Sequence, residues 1–419
     1  MLIHWIWLAT RQGLNDRMKV AVLQHFQDPE DAYYAEGEAF RRIDGLTIEN
    51  MEALQDKNLK QARKILDQCA DKDIHILTFQ DAAYPRRLKN ISDPPLVLYY
   101  KGRLPDFDDS PLVAVVGTRK ASGYGLTAAK RMGYQIAKCG GTVVSGMAFG
   151  IDGVATDGAL TAGGTVVGVL GCGADVVYPL SNRALFADVE RRGCLLTEFP
   201  PETPPQKWNF PKRNRIISGL SCGVLVVEAP FKSGALITAR QAADQGRDVF
   251  VVPGNIDVPT CAGSNALMRD GGIPVICGWD VMSEYESLYP EKVHRDDEPS
   301  RVTAYPDEVA RMVAETEKQP LKVAQKPRLL EKIGAVKTKK DKKVIDNGGA
   351  TPYIDVEKKL PPLNDEEQAV IDQLKQGQRL RDDVIAQSGL PAGKVAAILT
   401  MLEIKGIIRR LPGNLLELK

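Results

Sequence analysis

Histidine is scarce in this chain of 419 residues. Only four occur, at positions 4, 25, 75 and 294, and none is spaced with cysteine or acidic residues as a metal site requires. No structural or catalytic metal is expected. The seven cysteines (Cys69, Cys139, Cys172, Cys194, Cys222, Cys261 and Cys277) form no Cys-x-x-Cys pair and are odd in number. That fits a reducing cytoplasm best, with buried thiols packing as small hydrophobes. No run approaches the roughly 18 uninterrupted apolar residues of a membrane span. The apolar start, Met1 to Ala9 with Trp5 and Trp7, has no basic region before it and reads as the opening helix of a first domain, not as a signal peptide. An excess of charge of one sign is also missing, with 55 Lys and Arg against 54 Asp and Glu. Any polyanion must therefore be held by a local patch, not by the field of the whole molecule. The spaced Gly-x-Gly-x-x-Gly and the Gly-x-x-x-x-Gly-Lys-Ser/Thr loops are both absent, and no cofactor is expected.

What is present is enough apolar content, 43%, for more than one core, and domains of roughly 100 to 200 residues make two to four units. Residues 1–70 have helical periodicity through Met18, Val22, Leu23 and Phe26, with Asp16 as the expected cap. Ile43-Asp44-Gly45-Leu46 then reads as a turn between two short helices, the second running through Met51, Leu54 and Leu59. This is a helix-hairpin-helix pattern with little positive charge at its turn, which favours packing over phosphate contact. Residues 71–285 read as an extended α/β domain. After short strands and turns, apolar runs beginning at Leu112, Thr142, Thr165, Cys194, Val224 and Asp248 alternate with helical segments. Such alternation implies a Rossmann-like, doubly wound parallel sheet, with ligands at the carboxyl ends of the strands. Residues 286–362 lose periodicity and gather Lys337, Lys339, Lys340, Lys342 and Lys343, as a flexible linker would. Residues 363–419 show three helical segments followed by a hairpin pattern through Ile407 to Leu418, the signature of a winged helix. Its third helix, with Lys394 and Lys405 among Ala and Leu, is a poor major-groove surface, so interaction or regulation is as good an expectation as duplex recognition.

Four loops follow strands in the central domain. The first, Gly117-Thr118-Arg119-Lys120-Ala121-Ser122-Gly123, combines glycines with fixed cations at a helix start, which suits a phosphodiester. The second contains Ser145 and Gly146, with Asp152 as an expected helix cap. The third is Gly171-Cys172-Gly173, and the fourth places Lys232, Ser233 and Gly234 at another helix start. Together they make an extended anion groove, more than one nucleotide requires. Beside them lies Lys207-Trp208-Asn209-Phe210-Pro211-Lys212-Arg213, where cations and rings alternate. Cations follow phosphates, and a ring can stack on an unpaired base for roughly 1 to 3 kcal/mol. Trp208 or Phe210 could supply such a ring.

Val116-Gly117-Thr118-Arg119, Ser145-Gly146 with Gly150-Ile151-Asp152, Tyr178-Pro179, Asn209-Phe210-Pro211 with Arg213 to Ser221, Glu228-Ala229, and Ser233-Gly234 with Thr238-Ala239-Arg240 resemble, in that order, the DNA-processing protein A (DprA/Smf) family. The resemblance spans most of residues 112–275. It implies a non-catalytic Rossmann-like domain that binds single-stranded DNA, a sterile-alpha-motif-like N-terminal domain and a winged-helix C-terminal domain. It also implies a homodimer that protects incoming DNA and helps load the RecA recombinase during natural transformation. In the family's pocket, loop amides hold phosphates while a Lys and a Phe three residues apart grip backbone and base, a spacing that Lys207 and Phe210 match. Lys207 and Phe210 are thereby the expected nucleic-acid contacts, with Arg213 a third, while Trp208 is expected to pack and Asn214 to Ser221 to form a supporting helix. Phe149 stands where many members have Arg, and Thr156 where His is frequent, which leaves affinity open. Leu267 and Met268, beside Arg269, are candidates for the dimer surface.

Two other functions stay open on sequence. The fold also resembles the lysine-decarboxylase-like phosphoribohydrolases, but their Pro-Gly-Gly-x-Gly-Thr motif is replaced here by Ser233-Gly234-Ala235-Leu236-Ile237-Thr238, without paired acid/base carboxylates. A transcription regulator acting through the winged helix would instead prefer duplex.

Overall fold

The apolar runs become the buried strands of a nine-stranded sheet. In the computed structural model the described residues are 1–296, 365–374, 379–380, 383–384, 387–388, 394–395, 398–399, 402, 407–411 and 415–418. The chain divides into two compact units, Met1–Gln325 and Lys326–Lys419. Lys337 to Lys343 and Lys405 lie outside the described residues.

The first unit opens with six helices, α1 (Leu2–Ala9), α2 (Asp16–Phe26), α3 (Pro29–Tyr34), α4 (Gly37–Phe40), α5 (Ile48–Gln55) and α6 (Lys60–Asp71). Trp5, Ile6, Trp7 and Leu8 of α1 fill their shared core, which continues onto Leu96, Val97 and Tyr99. The helices are therefore welded to the sheet through one apolar cluster. Asp16 is not the cap of α2. Asn15 is, its side chain accepting the Met18 amide at 2.9 Å, and Asp16 is thereby released for ion pairing. The hairpin turn lies between α4 and α5, with Gly45 at φ +86°, a conformation that suits glycine. Leu59 does not continue α5 but precedes α6 as its N-cap residue.

The sheet follows. Strands β1 (His75–Thr78) and β2 (Val97–Gly102) flank α7 (Arg86–Lys89), and β3 (Leu112–Val116) leads into α8 (Gly123–Lys138). Next come β4 (Thr142–Ser145), α9 (Ile151–Thr161), β5 (Val166–Val169), α10 (Arg183–Arg192), β6 (Cys194–Thr197) and α11 (Asn209–Leu220). The unit continues through β7 (Gly223–Val226), α12 (Gly234–Asp244), β8 (Asp248–Val251), α13 (Ala262–Arg269), β9 (Ile273–Pro274) and α14 (Gly278–Met282). Strand order is β1-β2-β6-β5-β4-β3-β7-β8-β9, parallel from β6 to β9, with β2 antiparallel to β6 and β1 antiparallel to β2.

Alternation along β3 explains why both faces are covered. Val113 and Val115 enter a core with Leu126, Met132 and Ile136 of α8 and with Ile151 of α9. Leu112, Ala114 and Val116 enter another with Ile216, Ile217 and Leu220 of α11 and Leu236 of α12. Successive side chains on a strand face opposite ways, so an all-apolar strand needs helices on both sides. Because β3 is flanked by β4 and β7, connections run outward in both directions from it. The loops after β3 and β7 consequently part at a topological switch point, where such sheets hold ligands.

In the second unit a helix, Asp365–Leu374, accompanies β10 (Arg379–Leu380), β11 (Ile408–Leu411) and β12 (Leu415–Leu418). These form an antiparallel sheet of order β10-β12-β11, with Leu411 opposite Leu415 across the hairpin. Val370, Ile371, Leu374, Val395, Leu399 and Leu416 share its core. This is the winged-helix pattern, with a third strand, β10, that sequence periodicity did not reveal.

Candidate nucleic-acid interface

The loop after β3 is built around an internal carboxylate. Glu228, at the end of β7 and fully buried, accepts the Ser122 amide at 3.2 Å and the Ser122 hydroxyl at 2.8 Å. Ser122 in turn caps α8, its Oγ accepting the Gly125 amide at 3.1 Å. Thr118 donates its amide to the Glu228 carbonyl oxygen at 2.7 Å, and its Oγ1 accepts the Lys120 amide at 3.2 Å. The positive end of α8 therefore already has an anion. What the loop turns to solvent is Arg119, Lys120 and Gly123, all exposed.

The loop after β4 repeats the arrangement. Gly150, at φ +74°, is the N-cap of α9, so Asp152 is not the cap. Asp152 lies in the first turn, two residues after the cap, and is buried. Its carboxylate accepts the Gly146 amide at 3.1 Å, and its carbonyl oxygen accepts the Ser145 hydroxyl at 3.2 Å. Burial raises its pKa, against the pull of Arg213, Arg119 and the amides of Gly117 and Gly146. The amides of Gly117 and Gly146 are thus turned toward a side chain of the protein itself.

Arg213 is buried between these loops. Its Nη1 donates to the Gly146 carbonyl at 3.0 Å and to the Val169 carbonyl, and its Nε to Asn214 Oδ1 at 3.2 Å. Burial lowers its pKa to about 10 despite the neighbouring Asp152. The guanidinium ties the ends of β4 and β5 to α11 and holds up the ring above it. Phe210, half-buried, has the Arg119 guanidinium over it at 5.1 Å, that of Arg213 at 5.9 Å and the Tyr178 ring at 5.5 Å. It also seats against Gly171, where a Cβ would come within 2.8 Å of the ring. Three of the sequence-predicted residues, Arg119, Phe210 and Arg213, are therefore brought into one cluster by the loop after β3 and the first turn of α11. Lys207 is exposed just ahead of it. Trp208 does not pack. It is 69% exposed, because α11 begins at Asn209, the residue that turns inward to donate to the Gly171 carbonyl at 3.0 Å. On the neighbouring loop, Ser233 caps α12 by accepting the Ala235 amide at 3.3 Å, and Asn214 donates to the Gly234 carbonyl at 3.4 Å. Lys232 and Gly234 are exposed there.

On its other side α11 is anchored by ions. Arg215 Nη2 is 2.9 Å from Asp16 and 2.8 Å from Glu198, its Nε is 3.2 Å from Asp93, and Lys212 Nζ is 3.0 Å from Asp16 and 2.9 Å from Glu198. Burial raises the Asp16 pKa, but Lys19, Lys212 and Arg215 outweigh it and hold that carboxyl at about 2. Sequence reasoning missed Glu198 and Glu228 as structural anions. The signal was available, since each follows a buried strand within two residues, where a carboxylate must find donors.

A family model, DNA recombination-mediator protein A, matches residues 75–286, just over half of the chain. The chain belongs to this family. A second model, the DprA winged helix domain, matches residues 357–414. The chain is 39% identical over 236 residues to DNA processing protein DprA of Bacillus subtilis, covering 56% of this chain and 78% of that one. It is 38% identical over 273 residues to Protein Smf of Synechocystis sp., covering 64% and 68%. Among solved structures it is similar to DNA processing protein A from Streptococcus pneumoniae at 33% identity and a TM-score of 0.61, covering 68% of this chain and 98% of that one. Among the described residues no helix is long and apolar enough to cross a membrane, and no group of three or more His, Cys, Asp or Glu could hold a metal ion.

Proposed function

We propose that this chain binds single-stranded DNA along the carboxyl edge of its sheet without hydrolysing it. In that role it would act as a cytoplasmic homodimer that protects incoming DNA and helps load RecA during natural transformation. The observation that carries this is the cluster of Arg119 over Phe210 with Lys207 just ahead of it in sequence, a cation–ring surface at the carboxyl edge of the sheet in a DNA recombination-mediator family. The internal carboxylates refine how phosphates would be held. With Gly117, Ser122 and Gly146 amides directed to Asp152 and Glu228, phosphate contact falls to the exposed side chains of Arg119, Lys120, Lys207 and Lys232, with Gly123, Ser233 and Gly234 allowing close approach. The same commitments argue against nucleotide cleavage. The buried carboxylates of Asp152 and Glu228 are each occupied with loop amides. All seven cysteines are free, in keeping with a reducing compartment. Leu267 and Met268, half-buried on α13, remain the proposed dimer surface.

The test is a titration of a labelled single strand at several salt concentrations, with a nucleotide-hydrolysis assay alongside. Arg119→Ala and Lys207→Ala should weaken binding to all sequences, each flattening the log–log salt slope by about 0.7. Phe210→Ala should remove a stacking contribution of about 1 to 3 kcal/mol. Unchanged titrations for all three variants would place the groove elsewhere, and nucleotide turnover abolished by Glu228→Gln would reinstate the enzyme.

A further inference from the structure

The four tryptophans differ sharply in their surroundings. Trp5 and Trp7 are buried in the helical core, Trp279 packs against the main core, and Trp208 is 69% exposed. A large indole left in water is the informative exception to apolar burial. Its place is equally specific. Trp208 follows Lys207, precedes the first residue of α11, and stands two residues before Phe210. Phe210 itself is half-buried, with Arg119 and Arg213 over its ring, Tyr178 tilted against it and Gly171 supporting it. One half-covered ring beside an exposed cation offers a short grip on a strand. A largely exposed indole beside the same cation offers a second.

Resting on the single-strand function above, we propose that Trp208 is a second base platform, so that the strip takes two unpaired bases, one on Phe210 and one on Trp208, with Lys207 on the phosphate chain beside them. Stacking requires only a π-face, so the platform accepts any base and gains nothing from a sugar–phosphate chain that lacks one. This separates it from a mere surface tryptophan and from a protein-docking residue.

The experiment uses the full-length protein with two labelled single strands of equal length, one carrying bases throughout and one with a central abasic stretch. Trp208→Ala should weaken binding to the first by about 5- to 150-fold, the range of one stacked base, and change binding to the second by less than about 2-fold. Trp208→Phe should restore most of the loss. Circular dichroism should be unchanged in both variants, since the indole is 69% exposed. Tryptophan fluorescence should be quenched by the base-bearing strand in the wild type but not in Trp208→Phe. Unchanged affinity of Trp208→Ala for the base-bearing strand, or equal losses on both strands, would overturn the proposal. If Lys207→Ala weakens binding while Trp208→Ala does not, this platform alone fails. A wild-type protein that retains neither strand would overturn the single-strand function as well.

Discussion

Replacing Arg215 with alanine will lower the stability of the first unit by about 3 to 5 kcal/mol, the cost of removing one partner from a buried ion cluster. Arg215 is 3% exposed and meets carboxylates from three places in the chain, Asp16 on α2, Asp93 before β2 and Glu198 after β6. Without it, Glu198 and Asp16 remain inside with only Lys212 and Lys19 to oppose them. Native proteins have about 5 to 15 kcal/mol in hand, so such a loss takes a large share of the total. Urea unfolding followed by circular dichroism measures it directly. The cluster also sets a pH dependence. Asp16 is held at about 2 when folded, below its ordinary 3.8, so its contribution is fully present above the ordinary value and is lost as pH falls through about 2. Acid unfolding of the wild type should therefore steepen between about pH 4 and pH 2. In Arg215→Ala that limb should flatten, because one of the charges that depresses Asp16 is gone. An unchanged midpoint in urea would mean that the helical layer and the sheet are joined by apolar contacts alone.

Gly125→Ala will disable the first loop. A Cβ at this position would collide with Glu228 Oε2 and lie 2.9 Å from its Cδ. Glu228 cannot retreat, because it is fully buried and its oxygens hold the Ser122 amide and hydroxyl. Overpacking costs about 1 to 3 kcal/mol, and loss of hydrogen bonds to a charged group adds about 1.5 to 3. The loop carrying Arg119 and Lys120 is then unseated, and single-strand affinity should fall along with stability. Gly123→Ala is the matched control, since a Cβ there meets nothing within 4 Å. Its stability should stay near wild type. Equal stability of the two variants in urea unfolding would show that Glu228 does not organise the loop.

The sequence made the sheet legible because strands buried on both faces read as unbroken apolar runs, and all six runs from Leu112 to Val252 became strands within one or two residues of their expected bounds. The glycine loops were equally legible as loops. What they bind internally was not, since Asp152 and Glu228 are linked to Gly146 and Ser122 through contacts that only the folded sheet creates. Asp16 illustrates the same limit. Capping chemistry makes Asn15 and Asp16 equally suitable, and the choice is settled by Lys212 and Arg215, nearly two hundred residues away in sequence. Trp208 failed for a local reason. Aromatic residues are usually core, but the helix that would have turned it inward starts one residue later.

The central claim, that the switch-point edge grips an unpaired strand, is tested most directly by competition. A labelled single strand bound to the full-length protein is challenged with unlabelled single strand or unlabelled duplex of the same sequence at fixed salt. The expected result is displacement by single strand at concentrations at least about tenfold lower than by duplex, with the difference abolished in Arg119→Ala/Lys207→Ala. Displacement by duplex as readily as by single strand, in a manner those substitutions leave untouched, would contradict it.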